Sequence, residues 1–239
     1  MHRVRIPQDV LDRIAKRRGR LHPFEKIEGR KTALVVIDLQ NAFMLPGMPA
    51  AVKDVCDIIP NVNHLAEATR AAGGKVVWVK MTLDGERQRW SVFFDHFGSA
   101  TYSAAEQKSL SRGDLGHELH AELDVAPGDL TIEKSRFSAF IQGSSELDAT
   151  LRRLGIDTVL IVGTVTNTCC ESSARDAMML NYRTIMVSDA NAAHSDEEHN
   201  ATLTNILRIF GDVRTTDEVV HLLAEGTGAP AAQSAAVSA

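Results

Sequence analysis

Short runs that are apolar at nearly every position alternate along this chain with longer stretches in which apolar residues return every three or four positions. The runs fall at residues 32–37 (TALVVI), 75–80 (KVVWVK), 130–134 (LTIEK), 158–162 (TVLIV), 183–189 (RTIMVSD) and 212–215. A run apolar on both faces suits a parallel strand covered by helices on either side. The helical stretches lie between them, at 58–72 (ended by Gly73 and Gly74), 145–154 (ended by Gly155), from Cys169 onward, and at 196–210. Strand and helix therefore alternate, which predicts an α/β fold. Its expected form is a three-layer α/β/α, doubly wound, mainly parallel six-stranded sheet with right-handed crossovers.

Two ends stand outside this alternation. Residues 1–31 read as a basic N-terminal arm, with Val10, Leu11 and Ile14 as a short apolar stripe that packs on its own domain or on a partner subunit. Residues 32–224 form the expected catalytic domain, and 225–239, rich in Ala, Gly and Ser, the expected disordered tail. The least regular internal stretch is 81–104. There Trp90, Phe93, Phe94 and Phe97 recur at helical spacing, as a helix on the core or as the wall or lid of a substrate pocket.

Charge and cysteine content narrow the function classes. Lys plus Arg number 26 against 31 Asp plus Glu, a net charge of −5, so the balance points to no nucleic acid and no anionic membrane partner. The basic N-terminus lacks the apolar core of a secretory signal, and no stretch reaches the length of a membrane span. Three cysteines, Cys56, Cys169 and Cys170, argue against a disulfide framework and suit the reducing cytoplasm. His117 and His120 read as surface histidines, with no metal assigned to them.

The chemistry concentrates at strand ends. Asp38 follows the first strand, Lys134 closes the third, and Cys169 follows the fourth after a glycine break at Gly163. In a parallel sheet these ends share one edge, where open α/β sheets place their ligands. Thr166, Asn167 and Thr168 are candidate caps for a helix whose first turn holds Cys169 and Cys170, and the helix dipole there is expected to lower a thiol's pKa. A carboxylate beside a thiol can take its proton and later protonate a leaving amine, and a nearby ammonium favours the thiolate. Each residue alone also has a plain reading: a capping Asp, a snorkelling Lys, and small buried cysteines.

Three blocks, VVIDLQNAF with Asp38, EKSRFSAF with Lys134 and GTVTNTCCESSARDA with the cysteines, resemble the isochorismatase-like cysteine hydrolases over residues 32–220. The resemblance implies that Asp38, Lys134 and Cys169 are catalytic, with Cys169 rather than Cys170 the nucleophile. It also implies a non-proline cis peptide between Thr164 and Val165 and an oxyanion hole made by the N–H groups of Val165 and Cys169.

Within that family, a cysteine at position 169 argues against vinyl-ether hydrolysis. No Asp-x-His pattern lies between Asp38 and Lys134, which disfavours a metal-dependent nicotinamidase. What remains resembles the metal-free and cofactor-free amidohydrolases of ureidoacrylate, biuret and N-carbamoylsarcosine, with the ureidoacrylate enzymes closest in motif text. Candidate substrate contacts are Gln40 and Asn41 for a ureido group, Phe43, Trp90 and Phe94 as walls, and Arg87 and Arg89 as a carboxylate clamp. The resemblance further suggests a homo-oligomer, a dimer or tetramer, acting on a small molecule. A nicotinamidase-like amidase, a non-catalytic member and a redox-sensing cysteine protein are the alternatives.

Overall fold

The first strand, β1 (Thr32–Ile37), has no residue more than 1% exposed, because helices cover both faces of the sheet at its centre. In the computed structural model, which describes residues 1–227, six parallel strands lie in the order β3-β2-β1-β4-β5-β6. The others are β2 (Lys75–Met81), β3 (Leu130–Lys134), β4 (Thr158–Thr164), β5 (Arg183–Ala192) and β6 (Asp212–Arg214). β1 pairs with β2 through Val35 opposite Val77, and with β4 through Val35 opposite Ile161. The chain steps outward on one side of β1 and then returns to build the other side from β4. The switch point therefore lies between the carboxyl ends of β1 and β4, and there the helices diverge and leave a crevice.

The helices are α1 (Gln8–Arg18), α2 (Asn41–Met44), α3 (Ile59–Ala71), α4 (Ser91–His96), α5 (Ala100–Ser109), α6 (Leu147–Arg153), α7 (Glu171–Met179), α8 (Asp196–Asn205) and α9 (Thr216–Thr227). α3 packs on β1 and β2 and against α9, while α7 and α8 pack on β5. Two expectations need adjusting. The stretch 196–210 is α8 followed by a wide π-helical turn, Ile206–Phe210, rather than one helix. The tail expected from 225 begins as the last turn of α9, and the rest of it lies outside the described residues.

β5 also runs three residues beyond the predicted Asp189, and its register against β4 shifts between Ile161 and Gly163. Asn191 supports the irregularity: its Nδ2 donates to the carbonyls of Ile161 (3.0 Å) and Val187 (2.7 Å). A buried irregular strand keeps its carbonyls hydrogen-bonded in this way.

The arm packs on its own domain. Val10 and Ile14, the inward face of α1, join the core. Farther forward, His2 donates through Nδ1 to Asp196, accepts from the Ala193 N–H and stacks on His199 with ring centroids 4.5 Å apart. Among the described residues no helix is long and apolar enough to cross a membrane.

Candidate active site

Asp38 is the first residue beyond β1 and is fully buried, with its N–H donating to the Val79 carbonyl at 2.9 Å. Its φ of +55° turns the chain out of the strand, in a region that Asp tolerates better than most residues. β4 lies close against β1 at Gly163, where φ is +118° and a Cβ would fall 2.0 Å from the Ile37 carbonyl oxygen, so only glycine fits. The Thr164–Val165 peptide that follows is cis. The chain then enters a π-helical turn, Thr166–Cys170, in which the Cys170 N–H reaches back five residues to the Val165 carbonyl at 3.3 Å, and only afterwards begins α7. Thr166 at the head of the turn is tied to the core by the buried His199, whose Nδ1 is 3.0 Å from its hydroxyl.

This differs from the expected first turn of an α-helix. Cys169 lies inside a widened turn, and no side-chain cap from Thr166, Asn167 or Thr168 is formed. Widened turns of this kind recur at functional sites because they re-aim one side chain out of register.

Lys134 ends β3, separated from β1 by β2, and its long stem spans that gap under full burial. Its Nζ lies 2.8 Å from Asp38 Oδ2, 3.5 Å from Cys169 Sγ and 3.1 Å from the Arg136 carbonyl oxygen. The ammonium thus joins carboxylate and sulfur. Neither Asp38 oxygen meets a donor along a strict hydrogen-bond direction, although Lys134 and the thiol both stand close enough to act on the carboxylate.

Burial decides the protonation of this group. It pushes the Cys169 thiol well above its ordinary pKa, and the charge of Asp38 pushes the same way, with Lys134 opposing both. The expectation of a thiol acidified by a helix dipole is therefore corrected: dehydration and a neighbouring carboxylate outweigh it. Burial likewise raises Asp38 against the pull of Lys134. Burial works against the Lys134 ammonium, but Asp38 and Cys169 hold its pKa above the ordinary lysine value. A thiol, a carboxylate and an ammonium together sum to zero net charge in this buried group, whereas a thiolate would leave one uncompensated negative charge.

Cys169 faces a cavity of about 200 Å³, bounded by Phe43, Met81, Leu83, Trp90, Phe93 and Phe137, with Val165 and Thr168 beside the sulfur. Trp90 is fixed by Arg136, whose guanidinium lies 5.0 Å from its ring centroid and pairs with Glu86 at 2.9 Å. The aromatic segment therefore divides: Trp90 and Phe93 line the cavity, while Phe94 is buried beneath them and Phe97 faces outward.

Several expected substrate contacts lie elsewhere. Gln40 is fully committed, its Nε2 donating to the carbonyls of Met81 and His117 and its Oε1 accepting from the Met81 N–H, so its amide holds the loop rather than a ligand. Asn41 donates to the Leu115 carbonyl in the same way. Arg87 pairs with Asp95, and Arg89 is exposed near Glu86, so neither lines the cavity. Phe94 is a core residue, not a wall. His117, expected on the surface, is buried with its Nε2 2.8 Å from the Thr82 hydroxyl, and burial lowers its pKa. Glu106, Tyr102 and His194, which also line the cavity, carry no signal in the sequence pattern that singles them out.

With the geometry in place, comparison with known proteins is informative. Residues 32–218 match the isochorismatase domain. The chain belongs to the isochorismatase family. Among its relatives, the ureidoacrylate amidohydrolase RutB of Serratia proteamaculans is 32% identical over 225 residues, covering 86% of each chain. A cysteine hydrolase from Pseudomonas syringae superimposes with a TM-score of 0.77 at 30% identity, over 85% of this chain and 97% of that one. N-carbamoylsarcosine amidase from Thermoplasma acidophilum does so with a TM-score of 0.62 at 30% identity, over 78% and 97%. Like these relatives, this member of the isochorismatase family is a hydrolase, and its six-stranded sheet is the architecture they share.

Proposed function

We propose that the protein is a cysteine-dependent amidohydrolase that cleaves the C–N bond of a small ureido, carbamoyl or amide compound through a thioester. The observation that carries this reading is the position of Lys134 Nζ, 2.8 Å from Asp38 and 3.5 Å from the sulfur of Cys169, which itself lines a cavity of small-molecule size. Relatives named for ureidoacrylate hydrolysis and a structural neighbour named for carbamoylsarcosine support the C–N bond as the target.

Asp38 takes the thiol proton as the Cys169 sulfur attacks the substrate carbonyl carbon, and the C–S bond forms. The thiolate exists only in the presence of the electrophile, which suits a thiol that burial keeps protonated at rest. The N–H groups of Val165 and Cys169 hold the oxyanion. As the tetrahedral species collapses, the C–N bond breaks and Asp38 passes its proton to the departing nitrogen. Water then gives a proton to Asp38 and its oxygen to the acyl carbon, the C–S bond breaks, and the proton returns to sulfur. Lys134 keeps its proton throughout and balances whichever of Asp38 and Cys169 is negative.

The test is an ammonia-release screen over ureido acids, biuret, carbamoyl amino acids and nicotinamide. Wild type is expected to turn over at least one, Cys169→Ala and Cys169→Ser none, and Cys170→Ala most of the wild-type rate. Undiminished turnover by Cys169→Ala removes the proposed mechanism, and activity on nicotinamide alone moves the protein to another branch of the family.

A further inference from the structure

The cavity beside Cys169 holds one carboxylic acid that the proposed chemistry does not use. Glu106, on α5, lines the cavity beside Leu83, Trp90, Phe93 and Leu110, with Tyr102 and His194 on the same lining. Its Oε2 is shut off from solvent and has no hydrogen-bond partner among the described residues. Burial raises the pKa of this carboxyl, and no neighbouring cation opposes the shift. Among the described residues no Lys or Arg lines the cavity: Arg87 and Arg89 face outward, and Arg136 is occupied by Glu86 and by the Ser135 and Arg89 carbonyls.

A buried acceptor with no partner is costly unless something fills the place. Oε2 itself has almost no surface open to the cavity, so a ligand there meets the rest of the Glu106 carboxyl. A carboxylate-bearing ligand would meet a second acid in a cavity whose lining holds no Lys or Arg, which charge repulsion opposes. A ligand N–H or ammonium group would instead pair with the Glu106 carboxyl.

We infer that Glu106 is a specificity-determining residue that accepts a hydrogen bond from a nitrogen donor of the substrate, so that the preferred substrates are amides or ureas with a neutral or cationic donor-bearing end, not ureido acids. This rests on the amidohydrolase reading for the identity of the scissile group, but its recognition step is independent of turnover. It also sets this chain apart from its RutB relatives, whose named substrate carries a carboxylate.

The experiment separates binding from chemistry with a matched pair of probes, 3-ureidopropionamide and 3-ureidopropionate, together with 2-aminoethylurea. Calorimetric titration into the Cys169→Ala protein reads recognition without turnover. The amide and the ammonium compound are expected to bind at least about tenfold tighter than the acid. Glu106→Leu is expected to erase that preference, and Glu106→Gln to retain the amide while losing the ammonium compound. Thermal unfolding of each variant separates loss of fold from loss of recognition, and Glu106→Gln keeps the side chain's size should Glu106→Leu unfold. Equal or tighter binding of the acid, no binding of any probe, or a preference unchanged in both variants overturns the assignment. Release of ammonia by the parent protein, read separately, tests the amidohydrolase reading: its absence alongside selective binding would discard the reaction and keep the recognition.

Discussion

A Cβ on Gly163 would stand 2.0 Å from the carbonyl oxygen of Ile37, so the distance between the two central strands is set by the absence of a side chain. Gly163→Ala forces β4 away from β1 at the point where Asp38 and the Cys169 turn diverge. We expect a loss of at least ~1–3 kcal/mol from overpacking alone, with further strain from the positive φ. Urea unfolding measures it, and a wild-type midpoint would mean that the strands have slack here.

The buried pair of Asp38 and Lys134 makes unequal single variants. Lys134→Met strands a carboxylate in a dry interior and is expected to cost about 3–5 kcal/mol, whereas Asp38→Asn combined with Lys134→Met removes both charges and recovers part of that loss. All three proteins are expected to be inactive. A double variant less stable than Lys134→Met would show that the two residues are not coupled.

Arg87 and Arg89 point away from the cavity and pair with Asp95 and Glu86. Arg87→Ala with Arg89→Ala should therefore change kcat/KM by less than about threefold for acidic and neutral substrates alike, the usual scale of surface substitutions. A KM that rises selectively for acids would restore the clamp.

Stability should fall on the acid side because of His199. Burial and the nearby His2 push its pKa down to about 4, so between that value and the ordinary histidine value the unfolded chain binds a proton that the folded chain refuses. Stability is then complete above about pH 6.5 and declines as pH falls, by about 3 kcal/mol once pH 4 is reached. Chemical denaturation at pH 7.5 and 4.5 measures the difference. His199→Gln should flatten it, and an unchanged slope in that variant would assign the acid sensitivity to other groups.

How much was legible in the sequence follows from which forces act locally. The strands were readable because burial on both faces writes them as unbroken apolar runs, and Asp38 and Lys134 stood out as charges ending such runs. Cys169 was readable as a strand-end residue, but the turn that carries it was not, since a five-residue step back to the Val165 carbonyl depends on how β4 lies against β1 and β5. The direction of the thiol's shift was misread because dehydration by the assembled core is invisible in a segment with polar neighbours. Gln40 was assigned to substrate because its side chain can hydrogen-bond anything. Only the fold reveals that Met81 and His117 already use it. Glu106 lies among polar positions of α5 and has no periodicity to mark it as inward.

The strand order has a consequence for synthesis. β1 is made early, yet its partner on one side, β4, begins at Thr158, long after Ile37 has been translated. At ordinary elongation rates roughly 6–25 s pass between the two. For that interval the most apolar strand of the protein has an open edge, and nascent chains stalled before β4 should be the species most in need of a chaperone.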